Sequence, residues 1–422
     1  MFNSYSENNP PDNLVYKAMP MHLTLSALLL LSWTTTSSTQ PEEAKLEKQR
    51  CPKPAEFALI FSFGYAGDHM PTDDAKFEEL LTKIKTAHFN VIHCTYTEKR
   101  LALCKKHGIK MMVDLLADAH VYKSPEKAQT LCEKLRGNTD VWGYNIWNDP
   151  FGKSVDGRKR DINNVRTWDP THPAFSGTYR TVGMSKLTNP DVFGYYDFHW
   201  KRGTGQHLPH LLAYAGWAKD RDAWFYTWLS ATSGIAGKGN FNRSLYSANT
   251  GIACGLKGFF WFLADDLMNK KTLEWTEVGR DIIKVHNEIA PLRKELVKLG
   301  HPTAIYSTPI TKTLNNDAVA DTKKNVYPPG FDNRSVPKDY WLQPLSGEFM
   351  FGVFTDDAKR QAVFLANNNA YVEQMVTIGV TRNGQAEIFN RKDGGWQRIE
   401  VRASMLSLTL SPGGGELLRF TK

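Results

Sequence analysis

Polar side chains suited to acid–base chemistry stand directly after several short apolar runs of this 422-residue chain. The residues in this position are Asn148, Asp149, Asp197, His199, Asp265 and Asp266. A carboxyl group can act as a general acid, a general base or a nucleophile, depending on how its surroundings set its pKa. Two such groups that face one bond can hydrolyse it together. The sequence therefore offers several candidate pairs.

Asp149 is the strongest candidate for the general acid. It follows Trp147 and Asn148 and precedes Pro150 and Phe151. The rings of Trp147 and Phe151 would desolvate its carboxyl group and raise its pKa, which suits an acid. Asn148 would then orient a hydroxyl group of the substrate. The alternative is that Asp149 is a helix N-cap or a loop residue and that Asn148 serves a turn.

Three further carboxyl groups are candidate partners of Asp149. Asp197 and His199 are alternate residues of one run, so they share one face of a strand and suit an acid–base or hydroxyl-binding pair. Asp265 and Asp266 are adjacent and point to opposite sides, so one of them suits the second carboxylate. The alternatives are a structural salt bridge for Asp197, a structural hydrogen bond for His199 and solvated turn positions for the adjacent pair.

Aromatic residues near the ends of the same runs supply surfaces on which sugar rings stack. They are Tyr96, Trp147, Trp200, Trp228 and Trp261, in a chain with 12 tryptophans and 16 tyrosines. We expect about half of these tryptophans to fill the core instead, as large rings commonly do. Asp118 and His120 are too sparse a cluster for a metal site, so neither a metal nor another cofactor is expected.

Apolar runs alternate with helical patterns along the first two thirds of the chain. The runs are Phe57–Phe63, Asn90–Tyr96, Ile109–Leu116, Val141–Trp147, Pro173–Tyr179, Val192–His199, Trp224–Leu229 and Gly258–Leu263. Such continuous apolar strands are typical of a parallel sheet covered by helices. Eight units of this kind predict a (β/α)₈ barrel over residues 51–299, with its working residues at the C-terminal ends of the strands. Asp114, within the third run, is expected to be hydrogen-bonded inside the barrel.

The alternative to a barrel is an open, doubly wound sheet. No glycine-rich phosphate loop follows the first run, which argues against the nucleotide-binding version of that fold. After Gly300 the pattern changes to short alternating runs separated by Asn-Asn-Asn, Arg-Asn-Gly and Asp-Gly-Gly turns. This spacing predicts a small all-β sandwich domain over residues 300–422.

An export signal is predicted near the N-terminus. The segment Met21–Thr39 holds an apolar stretch, Leu23–Trp33, that is too short to span a bilayer and is followed by small polar residues. We expect residues 1–50 to be a signal peptide and linker, and the protein to be secreted or periplasmic. A buried strand or a short anchor is the alternative, and no other stretch resembles a membrane span.

Charge and cysteine content narrow the choice of partners. The formal net charge is +8. Such a charge either attracts an acidic polymer to the protein as substrate or belongs to a solvated surface without a specific partner. The sequence has no long run of Lys or Arg and no nucleic-acid-binding motif, so a nucleic acid partner is not expected. The five cysteines are scattered without a C-x-x-C motif, which excludes the usual zinc site and leaves a Cys104–Cys132 pair open. The sequence leaves the oligomeric state open.

Two segments carry a resemblance to a known clan. Val141–Pro150 resembles the fourth-strand signature of the large barrel clan of retaining glycoside hydrolases, the β-galactosidase- and cellulase-like superfamily. The segment Ser244–Trp261 is similar to the same clan's seventh helix and eighth strand. In that clan the fourth strand ends in Asn-Glu-Pro or Asp-Glu-Pro, and the Glu is the acid/base. Asp149 stands in its place here, and the segment Trp224–Thr232, where the clan has its nucleophile, contains no carboxylate.

The resemblance implies a secreted glycoside hydrolase that acts on a poly- or oligosaccharide. Asp149 would be its acid, and Asp197, Asp265 or Asp266 would supply the second carboxylate. Because the usual nucleophile is missing, the alternative is a catalytically silent barrel that binds carbohydrate. A different hydrolase or lyase on the same barrel is a third possibility, since one fold hosts many chemistries.

Overall fold

The structure is a computed structural model, and the part of it described here comprises residues 54, 56–63, 69–116, 121, 123–148, 155–178, 185–187, 190–196, 207–230, 240–262, 266–308, 335–381 and 385–421. Eight parallel strands form a closed barrel in which each strand pairs with the next and the last pairs with the first. They are β1 (Ala58–Phe61), β2 (Val91–Cys94), β3 (Lys110–Asp114), β4 (Val141–Asn148), β5 (Ala174–Thr178), β6 (Val192–Tyr196), β7 (Trp224–Ser230) and β8 (Gly258–Phe262). The predicted (β/α)₈ barrel is confirmed.

Helices alternate with these strands and cover the outside of the barrel. They are α1 (Asp74–Thr86), α2 (Glu98–Lys106), α3 (Pro125–Leu135), α4 (Val155–Trp168), α5 (His207–Arg221), α6 (Phe241–Ala253), α7 (Glu277–Ile289) and the short α8 (Arg293–Leu296). Side-chain hydrogen bonds cap the N-termini of several helices. Asp73 accepts a hydrogen bond from Lys76 N at the start of α1, and Thr97 accepts one from Arg100 N at the start of α2. These caps satisfy backbone N–H groups that have no partner within the helix.

The interior of the barrel is filled by apolar and aromatic side chains in its middle. Phe260 stacks on Trp228 with ring centroids 4.1 Å apart, and Phe175 packs against Phe260 at 5.3 Å. Ile60 and Met112 belong to the same buried cluster. This layer separates the two ends of the barrel from each other.

Strand β4 is irregular. Its pairing with β3 shifts between Met111 and Met112, and its pairing with β5 shifts between Asn145 and Trp147. Each shift adds a residue to β4, and a bulge of this kind re-aims the side chains that follow it. The strand that ends beside Asp149 is therefore bent relative to its neighbours.

Antiparallel strands follow the barrel and form the predicted all-β domain. They are β9 (Ala304–Ser307), β10 (Leu342–Ser346), β11 (Phe349–Thr355), β12 (Gln361–Asn367), β13 (Gln374–Val380), β14 (Gln385–Asn390), β15 (Gly395–Ile399), β16 (Met405–Leu410) and β17 (Gly415–Thr421). Within the described residues they make a three-stranded sheet, β10-β13-β16, and a six-stranded sheet, β15-β14-β17-β12-β11-β9. Side chains of both sheets meet in one apolar core around Phe351, Val363, Ile378 and Leu406. The limits predicted for the domains stay predictions.

The barrel and the β domain are in close contact through α6. Asn249 on this helix donates a hydrogen bond to the carbonyl of Gly413, at 2.9 Å. A Cβ atom at Gly352 would lie 1.9 Å from the carbonyl oxygen of Ala253, so β11 approaches the end of α6 more closely than any side chain allows. Within the described ranges, no helix is long and apolar enough to cross a membrane.

The four described cysteines, Cys94, Cys104, Cys132 and Cys254, are buried and form no disulfide bond. Cys104 and Cys132, whose pairing the sequence left open, are both free thiols. Burial raises the pKa of Cys94 to about 12, so this thiol stays protonated at neutral pH.

Candidate active site

Four buried polar side chains meet at the C-terminal ends of β1 to β4. The Oγ atom of Ser62 lies 2.9 Å from Nδ1 of His93, and Nε2 of His93 lies 3.0 Å from the Nδ2 atom of Asn145. A carboxyl oxygen of Asp114 lies 3.8 Å from the same Nε2 atom. We call Ser62, His93, Asp114 and Asn145 the polar network.

Strand alternation explains why these side chains point inward. Ser62 is two residues after Ile60, and His93 is two residues after Val91, so each shares the inward face of its strand. Asp114 follows Met112 in the same way. The network thus lies on the apolar layer, and Phe260 points its ring at His93 with centroids 6.4 Å apart.

The hydrogen bonds of the network leave capacity for a further polar partner. Asp114 accepts a hydrogen bond from Leu116 N at 2.8 Å, as expected for a carboxylate held inside the barrel. The Oδ1 atom of Asn145 is buried and has no hydrogen-bond partner among the described residues. Turning the amide around would pair Oδ1 with His93 and leave Nδ2 free instead, so one polar atom of Asn145 remains available either way.

Two of the predicted stacking residues are buried. Trp228 lies in the barrel interior, stacked on Phe260, and belongs to the apolar layer. Trp261 faces the helices, where its Nε1 donates a hydrogen bond to Nε2 of His286 at 2.8 Å. Both indoles therefore pack the core.

The other described candidates lie nearer the surface. Tyr96 is partly buried against the main core, and the ammonium group of Lys134 lies 5.4 Å from its ring centroid. Asp266 is partly buried beside the start of α7, and its carbonyl oxygen accepts a hydrogen bond from Thr276 Oγ1.

The three predicted catalytic residues and two of the predicted substrate-binding residues lie outside the described residues. They are Asp149, Asp197 and Asp265, and His199 and Trp200, respectively. Trp147 and Asn148 are described only as backbone of β4, in register with Ser176 and Gly177 of β5. Their roles stay predictions.

Ser62, His93 and Asn145 were missed by sequence reasoning. The signal that points to His93 is a lone imidazole in an apolar strand, two residues after an inward-facing valine. Within the described part of the chain, no group of three or more His, Cys, Asp or Glu side chains is arranged to hold a metal ion.

Comparison with known proteins gives distant structural likenesses only. No protein-family model and no curated protein sequence matches the chain. A glycoside hydrolase of family 5 from Bacteroides vulgatus is 9% identical with a TM-score of 0.49, over 87% of this chain and 89% of that one. An α-amylase from Anoxybacillus is 12% identical with a TM-score of 0.48, over 86% and 97%.

A third solved structure is similar to the same extent. The family 51 arabinofuranosidase from Xanthomonas axonopodis pv. citri is 9% identical with a TM-score of 0.46, over 86% of this chain and 96% of that one. All three neighbours are glycoside hydrolases. The barrel of this chain is established by its own strand order rather than by these likenesses.

Proposed function

We propose that the chain is an exported glycoside hydrolase that acts on a poly- or oligosaccharide at the C-terminal end of its barrel. Asp149 is the general acid in this proposal. Asn148 orients a sugar hydroxyl, and Trp147, Trp200 and Tyr96 line the path of the substrate. The segment Met21–Thr39 directs export.

The polar network is the observation that carries the proposal. The interior of such a barrel is normally filled with branched apolar side chains, and a buried polar group without a partner is costly. Here Ser62, His93, Asp114 and Asn145 occupy the layer just beneath the strand ends. A buried hydrogen-bonded layer of this kind positions the groups above it, as supporting residues do in active sites generally.

The network includes Asn145 of β4, the strand that precedes the proposed acid in the sequence. Asn145 pairs with Asp114, the last residue of β3, while β4 continues as far as Asn148. In the proposal, Asp149 acts at the mouth of the barrel, where the reacting groups of such barrels lie.

The second carboxylate has to come from a strand other than β7. That strand, Trp224–Ser230, contains no Asp or Glu. Its neighbours end beside it: Tyr196 of β6 pairs with Trp228, and Phe262 of β8 pairs with Ser230. Asp197 follows β6 directly, and Asp265 and Asp266 follow β8, so these residues are the proposed partners of Asp149.

A catalytically silent barrel is the second candidate, and the lack of a carboxylate on β7 favours it. A single experiment distinguishes the hydrolase from the silent barrel. The purified protein is incubated with neutral, uronic and sulfated glycans, and new reducing ends are counted for the parent, Asp149→Asn and the exposed control Asp156→Asn. Release that is lost only in Asp149→Asn supports the hydrolase. Calorimetric binding without release by any protein supports the silent barrel.

A further inference from the structure

A cavity of about 200 Å³ opens at the N-terminal end of the barrel, opposite to the polar network. Its walls include Trp142, Trp224 and Tyr226, and Lys110 lies at its edge. The layer of Phe175, Trp228 and Phe260 lies between this cavity and the proposed active site. The cavity is therefore a separate compartment.

The cavity exists because several strands begin with small side chains. Ala58 and Val192 contribute little volume there. Gly258 contributes none, and a Cβ atom at this position would lie 2.4 Å from Cε1 of Tyr226. The glycine thus gives the phenol ring room to form a wall. A barrel of this kind normally packs its interior with side chains at every layer, so the opening is a departure from the fold.

The aromatic walls are held in place. Trp142 is the extra residue of the first β4 bulge, and its ring contacts Tyr226 edge to face, with centroids 5.2 Å apart. Trp224 stacks on His301 with centroids 5.7 Å apart and an interplanar angle of 21°. Both indoles remain partly exposed toward the opening. Rigid, half-exposed rings of this kind form ready-made surfaces for a planar ligand.

Most polar groups around the cavity are already paired within the protein. Asn90 accepts a hydrogen bond from Leu59 N and donates one to the carbonyl of Phe57. His172 is engaged through both ring nitrogens, with Asp169 at 2.7 Å and the carbonyl of Asn138 at 3.0 Å. These groups therefore have little hydrogen-bonding capacity left for a ligand.

Two charged residues, Glu56 and Lys110, also line the cavity. Glu56 interacts electrostatically with Arg293. Among the described residues, the ammonium group of Lys110 makes no ion pair. A cation beside aromatic walls attracts an anionic group.

We propose that this cavity binds a small aromatic carboxylate, with its ring between Trp142 and Trp224 and its carboxylate on Lys110. The size is appropriate, because a cavity of roughly 150 Å³ holds benzene and about 200 Å³ leaves room for one substituent. A sugar acid fits less well, because its hydroxyl groups need partners that Asn90 and His172 do not offer. The proposal does not depend on the proposed function.

Calorimetric titration of the full chain with benzoate tests the proposal, with benzamide as the neutral isostere and glucuronate as the sugar acid. We expect saturable one-to-one binding of benzoate that is tighter than that of either comparison compound. Lys110→Met should weaken benzoate binding about tenfold or more, the usual size of a lost charged hydrogen bond, and leave benzamide unchanged. The exposed control Lys127→Met should bind benzoate like the parent.

Several results would overturn the proposal. Absence of saturable benzoate binding to the parent, tighter binding of glucuronate, or equal losses in Lys110→Met and Lys127→Met would each do so. If Lys110→Met unfolds, the shift in melting temperature that benzoate and benzamide cause in the parent decides instead. A larger shift with benzoate supports the site, and equal shifts overturn it.

Discussion

The buried imidazole of His286 makes the barrel sensitive to mild acid. Its Nδ1 donates a hydrogen bond to the carbonyl of Ala87, and its Nε2 accepts one from Nε1 of Trp261, both at 2.8 Å. The ring is fully buried, and a second proton would have to displace the indole N–H. Burial, only partly offset by the hydrogen bond to Ala87, lowers the pKa of His286 from 6.5 to about 3.

The size of the effect follows from the two pKa values. The folded state keeps His286 neutral, whereas the unfolded chain takes up a proton below pH 6.5. Stability is therefore complete above pH 6.5 and is lost as the pH falls toward about 3. The whole loss is ~5 kcal/mol at about 1.36 kcal/mol per pKa unit. Between pH 7 and pH 5 the same relation gives about 2 kcal/mol.

Urea unfolding followed by tryptophan fluorescence at pH 7 and pH 5 measures this loss. The comparison is between the parent, His286→Gln and the exposed control His69→Gln. We expect the free energy of unfolding of His286→Gln to fall by about 2 kcal/mol less than that of the parent over this range, because glutamine does not titrate. The reasoning is refuted if all three proteins lose the same stability on acidification.

Two further substitutions test the packing at the start of β8, the strand that closes the barrel. Lys257→Met removes the buried ammonium group that donates to the carbonyls of residues 296, 299 and 300, and should cost about 2–4 kcal/mol in urea unfolding. The exposed Lys298→Met is its control, and equal costs would contradict the assignment. Gly258→Ala forces a Cβ atom against Tyr226 and should cost about 1–3 kcal/mol. Gly395→Ala, with open space around it, should cost less, and a cost as large as that of Gly258→Ala would contradict the reasoning.

The barrel was predictable from the sequence because its signal is local and repeated. Each apolar run predicts a buried parallel strand by itself, and the alternation with helical patterns fixes the order. The direction in which a side chain points was much harder to predict. Strands buried on both faces are apolar throughout, so the runs holding Trp228 and Trp261 do not reveal which indole points into the barrel and which toward the helices.

The first bulge of β4 explains why Asn145 of the polar network was missed. Each added residue reverses the face of every side chain that follows, and the sequence carries no sign of either shift. Counting alternate residues along β4 from Trp142 therefore puts Asn145 on the wrong face. Its hydrogen bond with His93 became visible only from the folded strands.

The most direct test of Asp149 as the general acid uses pairs of aryl and alkyl glycosides of the sugar that the glycan panel identifies. A dinitrophenyl leaving group needs no protonation, whereas an alkyl leaving group does. We predict that Asp149→Asn lowers kcat/KM for the alkyl glycoside by about 10²–10⁴-fold and changes that for the dinitrophenyl glycoside little. Equal losses on both substrates, or no loss on either, would contradict the assignment of Asp149 as the acid.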